Sequence, residues 1–197
     1  MILTISMLKE RYSDYANPLD KIKRDADEGK LFRLTRGLYE DNRNAEPMFL
    51  AAPILSPSYI SFEFALSLYG FIPERVYAIT SATLMVRKNK TFTNKFGRFT
   101  YSDIPLSAYP YGITIMEQNG YAAKVATKEK TLCDCLYKWS VVQSVKDLKI
   151  LLFEDKRIDE EEFKSLDFKE LIELASLYRK RNLELLIKLI KKEYIHE

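Results

Sequence analysis

Histidine is almost missing from this 197-residue chain, the single one being His196. That argues against a histidine-based triad or general base anywhere in the body of the sequence. Cysteine is equally scarce: Cys133 and Cys135 flank Asp134. Two positions apart on a helix, they point to different faces, close no disulfide framework, and find no second ligand pair for zinc. They read as core thiols in a reducing compartment, and the expected location is cytoplasmic. The six glycines are scattered, so no phosphate-cradling loop is present. No apolar run is long enough to cross a membrane, and Met1-Ile2-Leu3-Thr4 lacks the basic start and cleavage site of a signal peptide. Neither a membrane partner nor a cofactor is expected.

What is abundant is aromatic. Thirteen Tyr and eleven Phe favour a packed core over disorder. Net charge is only +3, but its distribution is uneven. Residues 75 to 98 hold Arg75, Arg87, Lys88, Lys90, Lys95 and Arg98 with no acid, whereas residues 41 to 74 hold Asp41, Glu46, Glu63 and Glu74 against Arg43 alone. The acid-free run, interleaved with Phe92 and Phe96 and followed by Phe99, suits an exposed hairpin facing either nucleic-acid phosphate or an acidic protein surface. Arg87, Lys88, Lys90, Lys95 and Arg98 are its candidate contacts; the alternative is a solvated loop with its phenylalanines turned inward.

Periodicity divides the chain into three regions, residues 1–45, 46–139 and 140–197. In the first, Ile5, Leu8 and Tyr12 have helical spacing. Asn17-Pro18 then reads as an N-cap followed by proline at the first helical position, opening a helix that runs to about Glu28 and stops at Gly29. Leu19, Ile22 and Ala26 form its expected buried stripe, with Lys21, Lys23 and Arg24 off it. Leu31 to Leu34 and Leu38 to Tyr39 make a hairpin around Thr35-Arg36-Gly37. Helix, turn, helix, hairpin is the order of a winged helix-turn-helix, although residues 1 to 40 balance eight basic against seven acidic side chains.

The second region begins with a helix capped by Ser61, with Glu63 in its first turn and Gly70 as its stop. Strand candidates follow at Val76 to Thr80, Ala82 to Val86, Phe92 to Phe96, Phe99 to Tyr101, Ile113 to Met116 and Tyr121 to Ala126. A helix capped by Thr127 spans Lys128 to Lys138. The links are too short for crossover helices, so an α+β unit with a mostly antiparallel sheet is expected. In the third region, Val145, Leu148 and Leu152, then Leu171, Leu174 and Leu177, then Leu183, Leu186, Ile187 and Ile190 mark three amphipathic helices. An acid-rich loop or short helix fills Glu154 to Ser165.

A metal-dependent nuclease has one foothold, Glu162-Phe163-Lys164, which has Glu-x-Lys spacing but lies in a charged helical region. Glu129 and Lys130 are adjacent, so a strand would turn them to opposite faces. Convergent metal ligands are not supplied.

Three motifs carry a resemblance. Gly29, Leu34, Arg36, Gly37 and Tyr39 form the first, Tyr59-Ile60-Ser61 running to Gly70 the second, and Ala126-Thr127-Lys128-Glu129-Lys130, opening a helix that contains Asp134, the third. Their order and spacing resemble the AbiEi-type antitoxins of type IV toxin–antitoxin (abortive infection) systems, over roughly residues 29 to 137. The resemblance implies an N-terminal winged helix that represses its own operon by binding operator DNA, and a following domain that counters a nucleotidyltransferase-like toxin. It implies no enzymatic activity in the antitoxin. Carried onto this sequence, it points to Arg33 and Arg36 in the wing, and Lys21, Lys23 and Arg24 in the preceding helix, as DNA contacts. The alternatives are a protein-interaction module without DNA binding and a cryptic metal-dependent nuclease.

Overall fold

Thr4 and Asn17 decide where the first two helices begin. In the computed structural model, which describes residues 1–84 and 88–195, the Thr4 hydroxyl accepts from the Met7 amide at 3.3 Å and opens α1 (Ile5–Arg11). Asn17 accepts from the Leu19 amide at 3.2 Å and opens α2 (Pro18–Asp27), where Pro18 has no amide hydrogen to leave unsatisfied. Gly29, with φ of +71°, supplies the left-handed residue past the helix end. Strands β1 (Ile2–Thr4), β2 (Phe32–Thr35) and β3 (Leu38–Glu40) form a small antiparallel sheet in the order β1-β3-β2. Its core is Leu3, Leu8, Ile22 and Leu31, each worth about 1.5–3 kcal/mol when fully buried.

Two details differ from the sequence expectation. β1 was not expected, because three residues carry no period of their own; it exists through pairing of Ile2 with Glu40 and Thr4 with Leu38. Leu19 is not part of the buried stripe of α2 but half-exposed, at 50%. Asp25 faces inward instead, beside Ile22, because Lys21 and Lys30 supply its counter-charges.

The rest of the chain is built on a six-stranded sheet. β4 (Ser58–Ile60), β5 (Ile79–Thr83), β6 (Lys90–Asn94), β7 (Gly97–Asp103), β8 (Ile113–Gln118) and β9 (Tyr121–Ala126) lie in the order β6-β7-β5-β4-β9-β8. The α+β class is as expected, and three neighbour pairs are antiparallel, but β5–β7 and β4–β9 are parallel. No crossover helix is needed for β5–β7, because edge strand β6 is itself the return stroke between them. The expected strands at Val76–Thr80 and Ala82–Val86 merge into β5; Met85 and Val86 lie outside the described residues.

One face of this sheet packs on α3 (Ala51–Ile54) and the 3₁₀ turn before it, with Phe49, Leu50, Ile60, Phe99, Tyr101 and Val125 buried together. Leu34, Ile2 and Leu38 of the small sheet join this cluster, which ties the N-terminal unit to the large sheet. The other face carries α4 (Phe62–Leu68) and α5 (Lys128–Lys138). Ser61 precedes α4, yet its side chain makes no capping bond. Thr80 of the adjacent strand does that work, accepting from the Phe64 amide at 3.0 Å and donating to the Ser61 carbonyl.

The C-terminal region contributes α6 (Val145–Lys149), which runs on into a π-helical stretch at Ile150–Asp155, α7 (Glu160–Lys164), α8 (Phe168–Ser176) and α9 (Arg181–Glu193). Leu148, Leu171, Leu186 and Ile190 share one apolar cluster with Tyr59, Leu66 and Leu132, so these helices complete the core under α4 and α5. Asn182 pins the joint. Fully buried, it donates to the carbonyls of Leu136 and Ser140, both at 3.0 Å, and accepts from the Val142 amide at 3.0 Å.

Candidate nucleic-acid interface

The stripe that α2 buries determines the face it offers outward. With Ile22 and Asp25 turned in, Leu19, Asp20, Lys23, Arg24 and Asp27 are exposed. Lys21 is not part of that face. Its ammonium sits 2.6 Å from the Asp25 carboxylate and over the Tyr12 and Tyr15 rings at 5.6 and 5.4 Å. Burial alone would push the Asp25 carboxyl up, but hydrogen bonds from Lys21 and Tyr12 and the charges of Lys21 and Lys30 hold it below the usual carboxylate range. Lys21 therefore locks α2 against α1. Lys23 and Arg24 stay exposed, and among the described residues neither has a carboxylate in ion-pair range.

Strand alternation places the first cation of the β2–β3 hairpin. Arg33 pairs across from Tyr39, on the sheet face that carries α1 and α2, and is exposed at the β2 edge. Its Nε donates to the Thr35 carbonyl at 3.4 Å. Arg36 occupies the tip of the β2–β3 turn, where Gly37 takes φ of +77°. The Gly37 carbonyl accepts from the Ile5 amide at 2.8 Å, fixing the β2–β3 turn to the start of α1. Lys23, Arg24, Arg33 and Arg36 thus belong to one small unit, with Asp20 and Asp27 on the same helix face as the first two.

Of the second set, Lys88, Lys90, Lys95 and Arg98 are exposed on or beside the β6–β7 hairpin; Arg87 lies outside the described residues. Phe92 and Phe96 are half-buried and Phe99 fully buried, so the phenylalanines anchor the hairpin while its cations face solvent. Sequence reasoning missed where the hairpin tip goes. Asn94 Nδ2 donates to the Leu34 carbonyl at 3.1 Å, Lys95 Nζ lies 3.7 Å from the centre of the Phe32 ring, and Phe96 meets Phe32 edge to face at 5.9 Å. No local pattern announces contacts sixty residues apart in sequence.

A second polar centre is sealed inside the protein. Asp134 is wholly buried and accepts from Tyr59 at 2.9 Å, Ser61 at 2.7 Å and Tyr178 at 2.5 Å. Lys130, equally buried, lies 3.6 Å from Asp134 Oδ1 and donates to the Ala108 carbonyl at 2.5 Å. Burial pushes the Asp134 carboxyl up, against the pull of Lys130 and the three hydroxyls. Burial likewise pushes the Lys130 ammonium down, against the attraction of Asp134. With both residues at 0% exposure, no substrate reaches them; the cluster fastens β4, α5 and the α8–α9 corner together.

The Glu-x-Lys triplet sits on α7 with Phe163 in the core and Glu162 bound to Lys128 at 2.7 Å. Among the described residues, no group of three His, Cys, Asp or Glu side chains is placed to hold a metal ion. Among the described residues no helix is long and apolar enough to cross a membrane. No protein-family model matches the chain, and no curated protein matches its sequence significantly.

Proposed function

We propose that this chain is a cytoplasmic, non-enzymatic transcriptional regulator and antitoxin of the AbiEi type, which binds operator DNA and counters a nucleotidyltransferase-like toxin. One observation carries the reading. Elements β1-α1-α2-β2-β3, closed into the sheet order β1-β3-β2, support it by their order of two helices followed by a hairpin, with exposed cations on the second helix and on the hairpin. In that layout α2 enters the major groove and the turn at Arg36 lies along the backbone. Lys23, Arg24, Arg33 and Arg36 meet phosphate; Lys21, held by Asp25, orients α2 instead of touching DNA. Asp20 and Asp27 oppose the phosphates, so affinity is modest and depends on salt.

The test is binding to a duplex from upstream of its own gene at two salt concentrations. The Lys23→Ala/Arg36→Ala variant should lose about two units of the slope of log affinity against log salt. A parent protein that binds no better than this variant removes DNA binding from the reading. A specific observation favours a second reading, a protein-interaction module: the exposed face of α2 carries as many acids as bases. Neutralisation of the toxin by a protein that binds no DNA would establish it.

A further inference from the structure

Of the four sheet edges among the described residues, three are defended and one is open. β1 is only three residues long. β2 has its Leu34 carbonyl, unpaired by any strand on that side, taken by Asn94 Nδ2. β6 carries the exposed Lys90 at its start, and the turn after it rests on Phe32. Short length, cover and an edge lysine each keep a strand from recruiting another chain. β8 is the opposite edge of the six-stranded sheet and has six residues, Ile113 to Gln118. It holds no lysine and no proline, and it pairs with β9 without a register shift. Its one charge is Glu117.

The register determines which of its backbone groups are free. Asn119 and Gly120, with φ of +51° and +78°, make the two-residue turn that leaves Gln118 and Tyr121 as a hydrogen-bonded pair. At the far end the Thr127 amide donates to the Gly112 carbonyl at 2.8 Å. Gly112, Thr114, Met116 and Gln118 therefore bond towards β9, while Ile113, Ile115 and Glu117 turn amide and carbonyl outward. Among the described residues no backbone group elsewhere pairs with those three. Their side chains share one sheet face. Ile113 packs against the cluster that holds α5, but Ile115, opposite Lys124, is 62% exposed, and Tyr111 just before the strand is 54% exposed.

We propose that β8 is a dimerisation edge, at which two copies of this chain pair their β8 strands antiparallel about a two-fold axis at Ile115. Ile115 then lies opposite Ile115 of the second copy, and Ile113 opposite its Glu117, so all three outward residues find partners. Charge favours this register: the two Glu117 side chains stand four residues apart along the strands, about 14 Å, which exceeds the Debye length of about 10 Å at 0.1 M salt. The Lys124 side chains, one strand further out on each side, are separated as widely. A second copy suits the edge better than a foreign strand because each chain has one open edge, so self-pairing consumes both and closes at two. An edge about 20 Å long buries less than the roughly 800 Å² per partner of a stable interface. The dimer is accordingly concentration-dependent. This inference stands independently of the DNA-binding reading.

The test is sedimentation of the full chain between about 1 and 500 µM, the range of a weak interface. The parent's average mass should climb towards twice the monomer's. Ile115→Lys sets two cations at the axis, and Glu117→Pro removes an outward amide that β9 does not use. Both should remain monomeric and melt like the parent; should the proline variant fail to fold, Ile115→Lys decides alone. Register is read by oxidative crosslinking. Directly paired Ile115→Cys residues would have Cα atoms about 5.5 Å apart, within disulfide range, and should link, whereas Glu117→Cys residues about 14 Å apart should not. The native Cys133 and Cys135 are buried and do not compete. A parent that stays monomeric throughout overturns the proposal and leaves the edge to a strand of another protein. A dimer that persists in Ile115→Lys, or crosslinking as fast at position 117 as at 115, overturns it equally.

Discussion

Replacing Lys130 with methionine tests whether the sealed cluster holds the fold together by charge. The side chain is 0% exposed, lies 3.6 Å from the Asp134 carboxylate and donates to the Ala108 carbonyl. Methionine keeps most of the volume but removes the counter-charge and a donor. Breaking a buried ion pair from one side costs about 3–5 kcal/mol, because the other charge remains buried without compensation. For a chain of this size that lowers Tm by on the order of 10 °C. Asp134 would still receive hydrogen bonds from Tyr59, Ser61 and Tyr178, which keeps the loss nearer the lower bound. Adding Asp134→Asn retains an acceptor for those hydroxyls and removes the charge, so the double variant should be more stable than Lys130→Met alone. The coupling in the double-mutant cycle should exceed about 1 kcal/mol. The effect also depends on pH. Burial raises the Asp134 pKa in the folded protein, so the folded state holds this proton more tightly than the unfolded chain. Lowering pH through the folded pKa therefore favours folding, and the deficit of Lys130→Met should shrink in mild acid. Urea denaturation at neutral and mildly acidic pH measures all three quantities. A loss below about 1 kcal/mol, or strictly additive single variants, would refute the reasoning.

Other expectations follow from particular contacts. A Cβ added at Gly112, where φ is +65°, would come within 2.8 Å of the Lys130 Cβ. Gly112→Ala should therefore lower stability by about 1–3 kcal/mol through strain and overpacking, read by thermal melting. Asn182→Ala strands two carbonyls and an amide at the α5–α9 joint and should cost at least about 2 kcal/mol in chemical denaturation. Asp25 has its carboxyl held below the usual range, so its contribution is present above the unfolded pKa and lost as pH falls through the folded one. Asp25→Asn should flatten that acid transition, followed by amide exchange in α1 and α2, and should cost about 2 kcal/mol at neutral pH.

Where a signal was local, it was legible. The caps Asn17 and Thr127 and the stop at Gly29 depend on a few neighbouring atoms, and α2 begins and ends, and α5 begins, where those residues indicate. Strands were likewise expected at Ile113 to Met116 and Tyr121 to Ala126, where β8 and β9 pair as a hairpin. The same local signal was insufficient at Ser61, a good cap by type, because the hydroxyl had a stronger alternative: a buried carboxylate seventy-three positions away. Thr80 then took over the capping.

The candidate interface divides the same way. Helical spacing placed Lys23 and Arg24 off the buried stripe of α2, because a helix face orients a side chain without help from distant residues, and the family resemblance pointed to Arg33 and Arg36; all four are exposed. Composition and period similarly determined the α+β class. Whether Lys21 is available, where the hairpin tip rests, which strands run parallel and that Lys130 is entombed were decided only by tertiary structure. Each depends on partners brought together by closure of the chain: Asp25 between two cations, the unpaired Leu34 carbonyl at a sheet edge, β6 serving as its own crossover, and Asp134 waiting one helical turn from Lys130 with three hydroxyls around it. A sequence states which groups need a partner; the free energy of packing selects which one each of them meets.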